Sequence, residues 1–209
     1  MSAASLAVLV SGGGRSLENL ATKIDAGELD ARIALVLSND PSAFALERAQ
    51  RLGLETAVVR HQDSPDTADF SRRVFAEIEA RACDLVVLAG FLRLLVLPEL
   101  WVGRVLNIHP ALLPSYGGKG YYGERVHRAV LAAGERESGC TVHYVTNEYD
   151  AGPILLQRRV SVLAGDTPET LAARVFEEEQ RALPEAIRLH LSGEARLEGD
   201  HVSWRATRR

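Results

Sequence analysis

Apolar positions in the first half of the chain follow two alternating rhythms. Short runs that are apolar at nearly every position, 6–10, 33–37, 56–59 and 85–88, read as strands covered on both faces. Between them lie segments with apolar residues at helical spacing. The first, 17–26, puts Leu17, Leu20, Ala21 and Ile24 on one side, and 44–52 and 70–82 repeat the pattern. Strand followed by amphipathic helix, repeated, predicts a doubly wound α/β fold with a mostly parallel sheet and helices on both faces.

The rhythm loosens after residue 88. A helical turn at 98–101, a strand at 105–108, a loop rich in Gly and Pro at 111–124 and a helix at 126–133 follow. Strands at 141–145 and 154–162 flank the turn-like 146–153. Thr167 or a neighbour then caps a long helix running to about His190, and 196–204 suggests a hairpin through Gly199 and Asp200. With no repeat, linker or low-complexity tract, the expectation is one domain, 1–209, with a mixed C-terminal part.

Composition narrows the class only modestly. The 209 residues are 46% hydrophobic and 25% charged, ordinary for a soluble globular chain that closes a core without staples. A net charge of -4 gives no general attraction to nucleic acid or anionic membrane, and Arg205, Arg208 and Arg209 read as a small solvated tail. Cys83 and Cys140 lack the spacing of a disulfide framework or zinc site, so a reducing cytoplasm and no metal are expected. No stretch has the features of a signal peptide or the roughly 20 apolar residues of a membrane span.

Candidate chemistry gathers where strands end, the rim at which open α/β sheets take ligands. Gly12, Gly13, Gly14, Arg15 and Ser16 lie between the first strand and first helix, compatible with a phosphate held by backbone N–H groups or with a tight turn needing positive φ. Leu17 stands where a dinucleotide fingerprint has its third glycine, and no Walker Lys follows. "SNDPS" at 38–42 is ordinary turn chemistry, and Arg93 alone reads as a surface charge.

Asn107 and His109 are more informative together. Two residues apart on a strand, they face one side while Ile108 packs on the other. An amide suits a developing oxyanion and an imidazole suits acid or base work near neutral pH, so the pair reads as carbonyl chemistry. Asp150 is compatible with a turn or with a carboxylate that orients an imidazole. No nucleophile elbow is evident, and His61, His127, His143, His190 and His201 show no metal-ligand spacing.

Six segments, "VLVSGGGRSLENL", "VLSNDPSAFALERA", "VVLAGFLRLL", "LNIHPALLPSYGGKG", "GCTVHYVTNEYDAGPILLQ" and "GDTPETLAARVFEEEQRALPEAI", together resemble the phosphoribosylglycinamide formyltransferases over essentially the whole chain. The resemblance implies the formyltransferase fold and transfer of a formyl group from 10-formyltetrahydrofolate, as co-substrate, to the glycinamide amine of 5-phosphoribosylglycinamide. It implies a catalytic trio in which Asn107, aided by a protonated His109, stabilises the oxyanion and Asp150 keeps His109 charged or moves protons through water. Substrate would meet Gly12, Gly13, Gly14, Arg15, Ser16, Pro110 and Glu179; folate would meet Leu92, Arg93, Leu94, Leu95, Asn107, Thr146 and Asp150. The implied partners are small molecules, with no nucleic acid, membrane or metal, and the protein would act as a cytoplasmic monomer or homodimer.

Three departures from the family pattern stand out. Thr67 lies where relatives often carry an Arg for the folate tail, Phe176 lies where Lys or Gln is common, and the long 115–124 segment is a candidate flap. A formyltetrahydrofolate deformylase, a methionyl-tRNA formyltransferase and a non-catalytic phosphate-binding module are the rival readings. The two enzyme rivals usually carry an extra domain, and the module needs none of the trio.

Overall fold

The structure is a computed structural model and describes residues 3–205; Arg208 and Arg209 of the expected basic tail lie outside the described residues. Its main sheet has seven strands in the order β3-β2-β1-β4-β5-β6-β7, a mostly parallel α/β arrangement. The chain divides into two compact units, Met1–Leu106 and Asn107–Arg209.

In the first unit, β1 (Ala4–Val10), β2 (Ala31–Ser38), β3 (Thr56–Val58) and β4 (Leu85–Leu88) alternate with α1 (Arg15–Asp25), α2 (Phe44–Arg51) and α3 (Thr67–Glu79). β1 pairs in parallel with β2 and β4, and β2 with β3. Leu6, Ala7, Val8, Leu9 and Val10 are all fully buried, so both faces of this strand are covered, as the unbroken apolar run requires. α3 begins three residues before the apolar signal because Asp66 accepts from the Asp69 N–H and caps it. Phe75 packs against Trp101, whose indole N–H donates to Glu79 at 3.0 Å.

The second unit contains most of β5 (Val105–His109), then α4 (Glu124–Ala132), the antiparallel pair β6 (Glu137–Tyr144) and β7 (Ile154–Ser161), α5 (Pro168–Leu191) and the hairpin β8 (Ala195–Glu198) with β9 (His201–Trp204). α5 packs on β6, β7 and α4. Its start carries a reciprocal cap between Thr167 and Thr170, with Pro168 just inside.

β6 begins four residues earlier than the apolar pattern suggests. Residues 137–140 give no strand signal because the pairing there is a backbone matter: a Cβ on Gly139 would lie 2.0 Å from the Arg158 carbonyl oxygen. Gly152 is the tighter case, since a Cβ would lie 1.8 Å from the Tyr144 carbonyl oxygen, an atom of the rigid strand rather than a flexible side chain. Gly152→Ala should therefore force the backbone apart and destabilise the fold by about 2 kcal/mol or more, read as a lowered midpoint in urea. An unchanged midpoint would show that the 150–153 loop yields freely.

Candidate active site

Residues 105–109 leave β5 with Asn107 half-buried and His109 4% exposed, both on the side opposite Ile108. Asp150 comes from the loop between β6 and β7, in left-handed backbone with φ +52°. Asn107 and His109 both face this carboxylate. Asn107 Nδ2 donates to Asp150 Oδ1 at 3.3 Å, and His109 Nδ1 lies 3.5 Å from Oδ2.

Hydrogen bonding assigns the protons. The Tyr116 carbonyl, 2.7 Å from His109 Nε2, only accepts, so the neutral ring carries its proton on Nε2 and leaves Nδ1 toward Asp150. His143, on β6, donates from Nδ1 to the Tyr144 carbonyl at 2.9 Å. Its Nε2 is then an acceptor and takes a hydrogen from Asn107 Nδ2 at 3.0 Å, which fixes the amide's orientation. Both amide hydrogens of Asn107 are thereby engaged. The Gly118 N–H completes the set by donating to Asp150 Oδ2 at 2.9 Å.

Charge follows from these partners. Burial opposes ionisation of Asp150, yet contact with His143, the neighbouring His109 and the Gly118 N–H hold its carboxyl below the usual carboxylate range, so it is an anion. For His109 burial is the largest influence and lowers its pKa; Asp150 and the Tyr116 carbonyl oppose without cancelling. The expectation of a charged His109 at rest is corrected accordingly: near neutral pH the imidazole is neutral, because desolvation outweighs a carboxylate 3.5 Å away.

The exit from β5 is pinned from below. Thr141 Oγ1, buried on the same face of β6 as His143, donates to the Ala111 carbonyl at 2.6 Å and accepts from Leu113 N–H at 3.1 Å. Gln157 Nε2 donates to the Leu113 carbonyl and to Thr141 Oγ1, both at 2.9 Å. Gly117 then passes close over the carboxylate's own Cβ, 3.2 Å from where its missing Cβ would stand.

A model described as formyl transferase matches residues 4–187. The phosphoribosylglycinamide formyltransferase of Escherichia coli (strain K12) is 35% identical over 95% of this chain and 92% of its own length. The chain belongs to the formyl transferase family, among its phosphoribosylglycinamide formyltransferases. The crystal structure of glycinamide ribonucleotide transformylase 1 from Symbiobacterium toebii agrees, with a TM-score of 0.89 and 39% identity over 97% of this chain and 94% of that one. The chain also matches trifunctional purine biosynthetic protein adenosine-3 of Gallus gallus at 41% identity over 96% of its residues, while spanning about a fifth of that protein's length. Among these relatives the transferase name predominates, and the deformylase reading is less supported.

The remaining formyltransferase positions are placed separately within each unit. In the first, Ser11 N–H donates to the Gly90 carbonyl at 3.0 Å, Ser11 Oγ donates to Asn39 Oδ1 at 2.5 Å, and Leu92 N–H donates to Ser11 Oγ at 2.9 Å. Three strand ends thus meet at one rim. Gly14 is held at φ +76°, and a Cβ there would lie 2.6 Å from Ala45 Cβ, so the tight-turn reading holds for it. Gly12 and Gly13 have no such crowding, and Arg15 is exposed beside them. Leu92 and Arg93 are exposed, Leu94 half-buried and Leu95 buried. In the second unit Pro110 is half-buried directly after His109, and Thr146 Oγ1 lies 3.4 Å from the N and O of Glu148 in a local turn. Glu179 is half-buried on α5, where its charge helps push the Cys140 thiol up to about 12, after burial.

His143 and His127 are the functional neighbours that sequence reasoning left aside. Both are buried, and His127 on α4 is close enough to His109 that the latter's charge would disfavour its own, after burial; its Nδ1 is buried without a partner. The available signal for His143 was its two-residue spacing from Thr141, which puts two polar side chains on one face of an otherwise apolar strand. Among the described residues there is no cluster of three or more His, Cys, Asp or Glu suited to a metal ion, and no helix long and apolar enough to cross a membrane.

Replacing Asp150 by Asn removes the charge that favours imidazolium, so an NMR titration should find His109 taking up its proton at lower pH than in the parent protein. A midpoint that rises would contradict the assignment of Nδ1 to the carboxylate.

Proposed function

We propose that this chain, as a single formyltransferase domain, transfers the formyl group of 10-formyltetrahydrofolate to the amine of 5-phosphoribosylglycinamide by direct attack. The observation that supports this best is the convergence of Asn107 and His109 on an ionised, mostly buried Asp150, in a chain whose relatives carry that activity in their names. The single-domain reading is supported by a family match that runs without a break from 4 to 187.

In the proposed reaction the neutral amine nitrogen attacks the formyl carbon, and the C=O π electrons move onto oxygen. Asn107 turns one amide hydrogen onto that oxyanion. The bond given up is the longer one to Asp150, at 3.3 Å, while the shorter one to His143, at 3.0 Å, keeps the amide aimed. As the attacking nitrogen becomes cationic it gives up one proton, through Asp150 or a water it holds, to Nδ1 of His109, which rests neutral and becomes imidazolium as negative charge grows beside it. On collapse the C=O re-forms, the bond to the folate nitrogen breaks, and the proton held on His109 passes back through Asp150 or a water it holds to that nitrogen, leaving the imidazole neutral. No covalent enzyme intermediate is formed.

Binding roles follow the family pattern position by position. Gly12, Gly13, Gly14, Arg15 and Ser16 take the substrate phosphate at the start of α1, where backbone N–H groups favour an anion. Pro110 and Glu179 contact the same substrate. Leu92, Arg93, Leu94, Leu95 and Thr146, with Asn107 and Asp150, receive the folate head group. Thr67 offers no cation to a folate tail, and with Phe176 on α5 the phosphate depends on Arg15 and the loop amides.

The test is to mix purified protein with 10-formyltetrahydrofolate, with and without phosphoribosylglycinamide, and follow folate absorbance. Turnover should require the amine. Deformylation independent of it would favour a hydrolase, and no turnover in either mixture would favour a binding module. Asn107→Ala and His109→Ala should each lower kcat by about 10²–10³ with circular dichroism unchanged. Parental turnover in either removes that residue from the mechanism.

A further inference from the structure

Three non-glycine residues among those described have positive φ: Ala82, Tyr116 at +57° and Asp150 at +52°. Left-handed backbone at a bulky aromatic residue is an outlier that persists only where surrounding contacts over-determine it. Two of the three meet at one imidazole. The Tyr116 carbonyl takes the His109 Nε2–H at 2.7 Å, and Asp150 Oδ2 lies 3.5 Å from Nδ1. The Tyr116 hydroxyl donates to Glu135 Oε1 at 2.8 Å, and its ring meets the edge of Tyr121 with centroids 6.3 Å apart. Glu135 is exposed, just beyond the end of α4, and has none of the roles assigned above.

Resting on the reading of His109 as the proton-handling group, we infer that Tyr116, anchored by Glu135, is a positioning residue that decides which nitrogen of His109 carries the resting proton. With the carbonyl in place that nitrogen is Nε2, and Nδ1 facing Asp150 is the basic atom. With the carbonyl displaced, Nε2–H loses its acceptor while Nδ1–H gains a carboxylate, so the neutral tautomer reverses and the basic atom becomes Nε2. An exposed hydroxyl-to-carboxylate bond outside the trio thus sets where His109 takes up a proton.

The groups facing this ring define the sign of the effect. Asp150 and the Tyr116 carbonyl favour imidazolium; His143 from β6 disfavours it, burial disfavours it most, and His127 from α4 faces the same ring and is itself disfavoured from charging by it. Loss of the carbonyl therefore lowers the pH at which His109 changes charge.

The experiment is nitrogen NMR of the His109 ring, assigned by its absence in His109→Ala, in the parent protein and in Tyr116→Phe, Glu135→Ala and Glu135→Gln. Above its titration the parent ring should be protonated on Nε2. Tyr116→Phe and Glu135→Ala should shift the ring toward the Nδ1 tautomer, move the acid limb of kcat to lower pH and reduce kcat roughly three- to tenfold, with KM unchanged. Glu135→Gln keeps an acceptor for the tyrosine hydroxyl and should restore the parental ring and pH profile. A bond with a purely structural role would lower thermal stability in Tyr116→Phe and Glu135→Ala and leave tautomer and pH limb in place, which overturns the inference. So does a parent ring protonated on Nδ1. If the ring responds as stated in a chain that transfers no formyl group, the functional reading fails and the positioning stands.

Discussion

A carboxylate only 12% exposed is the constraint around which the second unit is built. An anion withdrawn from water must be matched by donors or by charge, or it takes up a proton. Asp150 is matched by one amide hydrogen of Asn107 and the backbone N–H of Gly118, with the rings of His109 and His143 beside it. Each of those partners has a fixed direction because it has a partner of its own: His143 on the Asn107 amide, the Tyr144 carbonyl on His143, the Tyr116 carbonyl on His109. Orientation is therefore inherited outward from backbone atoms, which do not rotate.

The backbone makes room for this in three places. Asp150 adopts left-handed φ, Gly117 passes over it without a Cβ, and Gly152 lets the loop return against β6. Thr141 holds the chain leaving β5 through two hydrogen bonds, to the Ala111 carbonyl and from the Leu113 N–H. A shift of the 110–118 segment would accordingly move the acceptor on His109 and the donor on Asp150 together. That coupling makes the loop part of the electrostatics and not only a cover.

Local periodicity carried most of the fold: the first unit's inner strands are apolar at nearly every position because they are covered on both faces, whereas β3, at the sheet edge, is half-buried to exposed, and the helices show one apolar side each. The same rule placed Asn107 and His109 on one side of β5. It did not reveal that their shared partner is Asp150, since a residue in "EYDAGP" has no periodicity to read and its approach depends on a positive φ. His143 stayed hidden for the opposite reason. It lies in a regular strand, where a lone histidine is ordinary, and only contact with a residue 36 positions away gives it a purpose. The resting charge of His109 was misjudged because spacing reports neighbours, whereas burial, which outweighs Asp150 here, emerges only from packing.

That neutral resting state fits the proposed chemistry better than the charged one it replaces. A permanent imidazolium paired with Asp150 would already have its field cancelled by the carboxylate, leaving little to gain as the formyl oxygen becomes negative. A neutral ring has its proton affinity held down by burial and raised at the moment negative charge develops beside it. The same dry surroundings that lower its pKa then strengthen its attraction for the oxyanion, so stabilisation is concentrated in the transition state instead of being shared with the bound substrate. The burial that disfavours His109's charge at rest is thus, in the proposed reaction, the source of its selectivity for the tetrahedral intermediate.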